Sequence, residues 1–113
     1  MTYFAAPGMK GLKVSKKVDY EKVIKLSADF FNLATQQVLS KSRRMDIVDA
    51  RRHIIYYLRI ERGITFKKVG QLLNGKDHTT IIHGLTSLRN LCDTEPKKKK
   101  ILKDYIDYID LNL

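Results

Sequence analysis

The sequence predicts an all-α domain carrying a helix-turn-helix, and three observations predict it. Apolar residues recur at helical spacing, as in Ile81, Leu85, Leu88 and Cys92 at i, i+4, i+7 and i+11. Asn74-Gly75, two residues that tolerate positive φ, marks a tight turn between two such segments. Four short hydrogen-bonding side chains, Asp77, His78, Thr79 and Thr80, then open the second segment. At 113 residues the chain is long enough for one helical core.

Residues 1–17 contain Pro7, Gly8 and Gly11, four lysines and no acid, and read as a flexible basic arm ahead of a domain over residues 18–113. The bland reading of the arm is a leader without a role, and the functional one is an arm lying on phosphates. A first helix starts near Asp19, with Tyr20, Val23, Ile24, Phe30 and Phe31 on one face, and fades near Asn32. Residues 33–40 follow, with Val38 and Leu39 as a short helical turn anchored in the core. Lys41-Ser42-Arg43-Arg44 is a basic loop. The longest helix spans Asp46 to Arg62 and ends at Gly63, its buried face formed by Ile47, Ala50, Ile54, Ile55 and Leu58. Arg52 and Arg59, seven apart on that helix, share a side and suit phosphate contact.

The helix-turn-helix comes next. Its first helix covers residues 65–73, apolar on one side, and Asp77 is placed to cap the second. Thr79, His83, Thr86 and Asn90 lie opposite the apolar stripe, so this helix buries one side and offers hydroxyl, imidazole and amide groups on the other. In such a motif the first residues of the second helix reach base edges. Pro96 suits the first turn of a last helix, whose stripe is Ile101, Leu102, Tyr105, Ile106 and Ile109. Its opening lysines, Lys97 to Lys100, oppose the helix dipole and favour fraying of that turn. Asp104, Asp107 and Asp110 recur every three residues as an acidic strip, read either as a solvated face or as a docking site for a protein partner.

The net charge of +10 points to a polyanionic partner. It is concentrated: residues 41–76 hold ten Lys or Arg against three acids, leaving +7 in that third. One cysteine permits no internal disulfide, which fits a reducing cytoplasm, and no stretch is apolar enough for a signal peptide or a membrane span. No phosphate-cradling G-x-x-x-x-G-K-[ST] loop is present, no Cys/His cluster has zinc spacing, and no nucleophile system stands out. The reading is binding without catalysis, cofactor or metal.

The run Asn74-Gly75-Lys76-Asp77-His78-Thr79-Thr80 resembles the Gly-Gly-Arg-Asp-His-Thr-Thr signature of the C-terminal DNA-binding domain of the bacterial replication initiator DnaA. Upstream, Lys41-Ser42-Arg43-Arg44 and Ala50-Arg51-Arg52-His53-Ile54-Ile55-Tyr56-Tyr57-Leu58 are similar to that family's basic loop and following helix, at matching spacing. The likeness covers roughly residues 18–91. It departs in three places: Arg52 replaces Gln, Lys76 replaces Arg, and Asn74 replaces Gly.

The resemblance implies a helix-turn-helix domain similar to the Trp-repressor group, and double-stranded DNA with a TTATCCACA-like box as its partner. By position it implies Arg43 in the minor groove and Asp77, His78 and Thr79 on bases in the major groove. Arg51, Arg52, Arg59, Lys76 and Thr80 would be phosphate or flanking contacts, joined by Lys41, Arg44 and His83 around them. The initiator's ATPase module has no counterpart in the residues ahead of this domain. The expectation is therefore a stand-alone, nucleoid-associated DNA-binding protein that regulates replication or transcription and does not melt an origin alone. The alternative is an adaptor of replication or recombination machinery, docking through the acidic strip with DNA contact secondary.

Overall fold

The computed structural model describes residues 18–113, and the arm read over residues 1–17 lies outside them. The described residues form helices and connecting turns, with no strand among them. The helices are α1 (Tyr20–Phe30), α2 (Thr35–Val38), α3 (Met45–Tyr56), α4 (Phe66–Leu72), α5 (His78–Thr94) and α6 (Pro96–Asn112). A π-helical turn, Tyr57–Glu61, continues α3.

Each boundary has a local cause. Asp19 caps α1 by accepting the Lys22 N–H. Asn32 ends it at φ 60°, and the Leu33 N–H reaches back to the Ala28 carbonyl at 2.8 Å, a left-handed termination. Gly63, at φ 69°, follows the π-helical turn. Pro96 sits at the start of α6 as expected, and that helix runs unbroken through its lysine-rich first turn.

The core joins Val23 and Ala28 of α1, Val38, Ile54 and Leu58, Val69 and Leu73, Ile81 and Leu88, and Tyr105 and Ile109, all buried. The α5 helix is central, packing on α3, α4 and α6, while α1 closes the other side against α3 and α6. Ser27 is buried on the apolar face of α1 without penalty. Its hydroxyl donates to the Val23 carbonyl at 2.6 Å and pairs with the Tyr105 hydroxyl at 2.7 Å.

Three expectations change. The helix from residue 46 to 62 is not α-helical throughout, because its last turn widens to π geometry, and there the buried side chains are Tyr57 and Leu58. Ile101, expected on the apolar stripe of α6, is 36% exposed, while Leu102 beside it is buried as expected. The long helix starts one residue earlier than expected, at Met45, and Asp46 stands in its first turn.

Candidate nucleic-acid interface

The site is built around the turn between α4 and α5. Thr65 caps α4 by accepting the Lys68 N–H, and Val69 and Gly70 are the buried residues of that helix. Asn74 at φ 67° and Gly75 at φ 75° turn the chain, both in the left-handed region that Asn and Gly tolerate. The Lys76 N–H then donates to the Gly70 carbonyl at 3.0 Å. This approach is so close that a Cβ on Gly70 would lie 2.1 Å from the Lys76 carbonyl oxygen, so residue 70 must be glycine for the turn to sit there.

Asp77 caps α5, accepting the Thr80 N–H at 2.9 Å. Chiefly through that backbone N–H, its carboxyl is held below the usual carboxylate range and is ionised at neutral pH. His78, Thr79 and Thr80 are exposed, and Ile81, fully buried, pins the helix just behind them. Thr79, His83, Thr86 and Asn90 are all exposed, opposite the buried Ile81, Leu85 and Leu88, as helical periodicity requires.

Cations surround this end of α5. A cleft of about 240 Å³ between α3 and α5 is lined by Arg51, Arg52, Lys76, Thr80, His83 and Ser87 among others. Partial burial lowers the Lys76 ammonium from its ordinary pKa, and nearby Arg51 and Lys41 lower it further. Arg43 is exposed in the loop before α3.

Two of the expected phosphate-contact arginines make contacts within the fold. Arg51 is buried, 7% exposed, and burial lowers its pKa. Its Nε donates to the Val38 carbonyl at 2.7 Å, and its two terminal nitrogens to the Ser42 and Ser40 carbonyls. It holds the loop from beneath, because the planar guanidinium meets several carbonyls at once, as a phosphate contact on the surface would not. Arg59 stacks over the Phe66 ring at 4.6 Å and donates to the Ile64 carbonyl at 3.3 Å. Arg59 lies within the π-helical turn, so its angular relation to Arg52 is not that of two residues seven apart on a regular α-helix.

Other features were not visible in the sequence. Arg44 is paired with Asp46 at 2.7 Å, both exposed. The Asn74 side chain donates to the Leu39 carbonyl at 3.2 Å, joining the turn to the segment before the basic loop. Ser87 in the cleft lies two turns beyond the signature residues, with no cue of its own. The acidic strip of α6 is not one open face. Asp110 accepts the Tyr57 hydroxyl at 2.7 Å, Asp104 faces Lys100 at 3.4 Å, and Asp107 borders a groove with Lys99, Lys100 and Lys103. Among the described residues no group of three or more metal-ligating side chains is gathered, and no helix is long and apolar enough to cross a membrane.

A family model described as the bacterial dnaA protein helix-turn-helix matches residues 20–87. The chain is 32% identical over 88 residues to the chromosomal replication initiator protein DnaA of Ureaplasma parvum, covering 78% of this chain and 19% of that protein. The same-named protein of Gloeobacter violaceus is 31% identical over 83 residues, covering 74% of this chain and 19% of its own length. That of Limosilactobacillus reuteri is 32% identical over 111 residues, covering 96% and 24%. The chain thus spans about a fifth to a quarter of the length of these relatives.

Proposed function

The chain belongs to the bacterial DnaA helix-turn-helix family, and on that footing we propose that it binds double-stranded DNA sequence-specifically at an initiator-box-like site. The relatives' name, chromosomal replication initiator protein, supports a role in replication initiation, and regulation of transcription from such sites is proposed beside it. The observation that carries the reading is the amino end of α5. There His78 and Thr79 stand exposed beside an ionised Asp77 that caps the helix, with the cations Lys41, Arg52 and Lys76 around them.

In this reading the first turn of α5 enters the major groove. Thr79 meets a thymine methyl or a base edge, His78 donates to a base, and Asp77 accepts from a cytosine amino group while capping its own helix. Arg52, Lys76, Thr80 and His83 follow the phosphates along the cleft, which fixes register without reading sequence. Arg43 reaches the adjacent minor groove from its loop, where a narrow A/T-rich segment concentrates negative potential. Lys41 and Arg44 lie along the flanking backbone. This chemistry is binding; no catalytic step is assigned.

The test is to select duplexes from a random pool on the purified protein, then to titrate Thr79→Ala and His78→Ala against the selected duplex and a scrambled one. Loss of a base contact costs roughly 1–3 kcal/mol on the selected duplex and little on the scrambled one. Equal losses on both would refute base readout by these residues. A pool that yields no preferred sequence would refute the site-specific reading itself.

A further inference from the structure

The loop that carries Arg43 has no regular structure of its own over residues 41–44. It is held by side chains from two other parts of the molecule. From α3, Arg51 donates to the Val38 carbonyl at 2.7 Å, the Ser42 carbonyl at 2.6 Å and the Ser40 carbonyl. From the turn ahead of α5, the Asn74 amide donates to the Leu39 carbonyl at 3.2 Å. Within the loop the Ser42 N–H donates to Ser40 Oγ, and the Arg44 N–H to Ser42 Oγ. Carbonyls at 38, 39, 40 and 42 are thereby tied to the body that presents His78 and Thr79. Asn74 lies three residues before Asp77 and stands where the resembled signature carries Gly, so its strap is a property of this chain.

We infer that Arg51 and Asn74 are positioning residues that set the distance between the minor-groove and major-groove contacts of the DNA site. The inference rests on the reading of Arg43 and α5 given above. A planar guanidinium gripping three carbonyls fixes a loop in orientation as well as position, which a lysine ammonium, a single point charge, cannot do. A loop held in its bound conformation before DNA arrives also avoids an ordering cost on binding. The operator must then present its A/T-rich step at one separation from the base pairs under α5. In a loosely tethered loop, Arg43 would follow that step wherever it lay.

The experiment uses the selected duplex and two derivatives in which one base pair is inserted or removed between the A/T-rich flank and the α5 half of the site. The wild-type protein should lose roughly tenfold or more on both derivatives, the scale of one lost base contact. Asn74→Gly removes the side chain and leaves the turn free to keep its φ of 67°. Arg51→Lys keeps the charge and loses the fork. Each variant should bind the original duplex somewhat more weakly and show a clearly smaller spacing penalty, and the two together a smaller one still. Thermal unfolding is measured alongside. A residue that merely stabilises the fold would weaken all three duplexes by one factor and leave the penalty intact, which overturns the inference. If Arg51→Lys does not fold, the exposed Asn74→Gly carries the test alone. A wild-type penalty that survives in full in both variants refutes positioning while the reading of Arg43 stands. A wild-type protein indifferent both to spacing and to Arg43→Ala refutes that reading, and this inference with it.

Discussion

Replacing Gly70 with alanine sets two effects of opposite sign against each other. By helix propensity alone the change should help, because Gly in a helix interior costs about 0.5–1 kcal/mol relative to Ala. Geometry opposes it. The new Cβ would stand 2.1 Å from the Lys76 carbonyl oxygen and 3.2 Å from its carbon, where ordinary contact begins near 3.4 Å. The obstacle is backbone, so the turn must retreat by more than an ångström, and it carries Asp77 and the amino end of α5 with it. Such overpacking costs about 1–3 kcal/mol, and loss of the 3.0 Å bond from the Lys76 N–H to the Gly70 carbonyl adds about 0.5–1.5. The net expectation is destabilisation by about 1–3 kcal/mol, with the melting temperature falling by roughly 4–8 °C for each kcal/mol in a domain of this size. Specific DNA binding should fall further than non-specific binding, because the residues proposed to read bases move while Arg43, Arg44 and Arg52 remain in place. Urea and thermal denaturation with paired duplex titrations measure both. A Gly70→Ala protein that melts higher and binds as before would show that the close approach is not there.

Two further outcomes follow from the charged groups. His53 is buried against Phe31 at 4.8 Å and Tyr105 at 5.3 Å, with Nδ1 bonded to the Asp49 carbonyl and Nε2 without a partner. Burial lowers its pKa, Lys98 and Arg52 lower it further, and Asp49 offsets part of this. The fold therefore holds the neutral ring, so stability is full above the unfolded-state value of about 6.5 and declines as pH falls below it toward the depressed folded value. His53→Phe should flatten the stability profile between neutral and mildly acidic pH whatever it does to the absolute value, and an unchanged slope would sink the assignment. Asp46→Asn frees Arg44 from its 2.7 Å partner. Non-specific DNA affinity should rise and the salt slope steepen by up to roughly one unit; no change would mean that Arg44 does not approach phosphate.

What was legible in the sequence is what depends on local spacing. The Asp77 cap, the positive-φ pair Asn74-Gly75 and the exposed row Thr79, His83, Thr86 and Asn90 stand as their periodicity and turn chemistry imply. So do the chain breaks at Asn32 and Gly63 and the start of α6 at Pro96. What was not legible depends on partners distant in sequence. Nothing near Arg51 says that carbonyls nine to thirteen residues earlier will turn toward it. Similarly, Asp110 is one member of a regular acidic series until Tyr57, fifty-three residues away, claims it. The π-helical turn leaves no mark in the sequence, because the widening of one turn barely alters an apolar pattern spread over two or three. A basic side chain on a helix wheel looks the same whether it faces a phosphate, as proposed for Arg52, or an aromatic ring, as Arg59 does.

Tyr105 sits fully buried where α1, α3 and α6 meet. Its ring contacts Phe30, Phe31, His53 and Tyr57, and its hydroxyl is joined to Ser27. Because one side chain belongs to three helices at once, none of them can leave without uncovering it, and unfolding should proceed as a single cooperative event rather than by peeling from either end. The chain has no tryptophan, so this shared ring and its neighbours also supply the tertiary signal by which that event can be watched. Near-ultraviolet dichroism from tyrosine in the core and far-ultraviolet dichroism from the helices should then trace one curve.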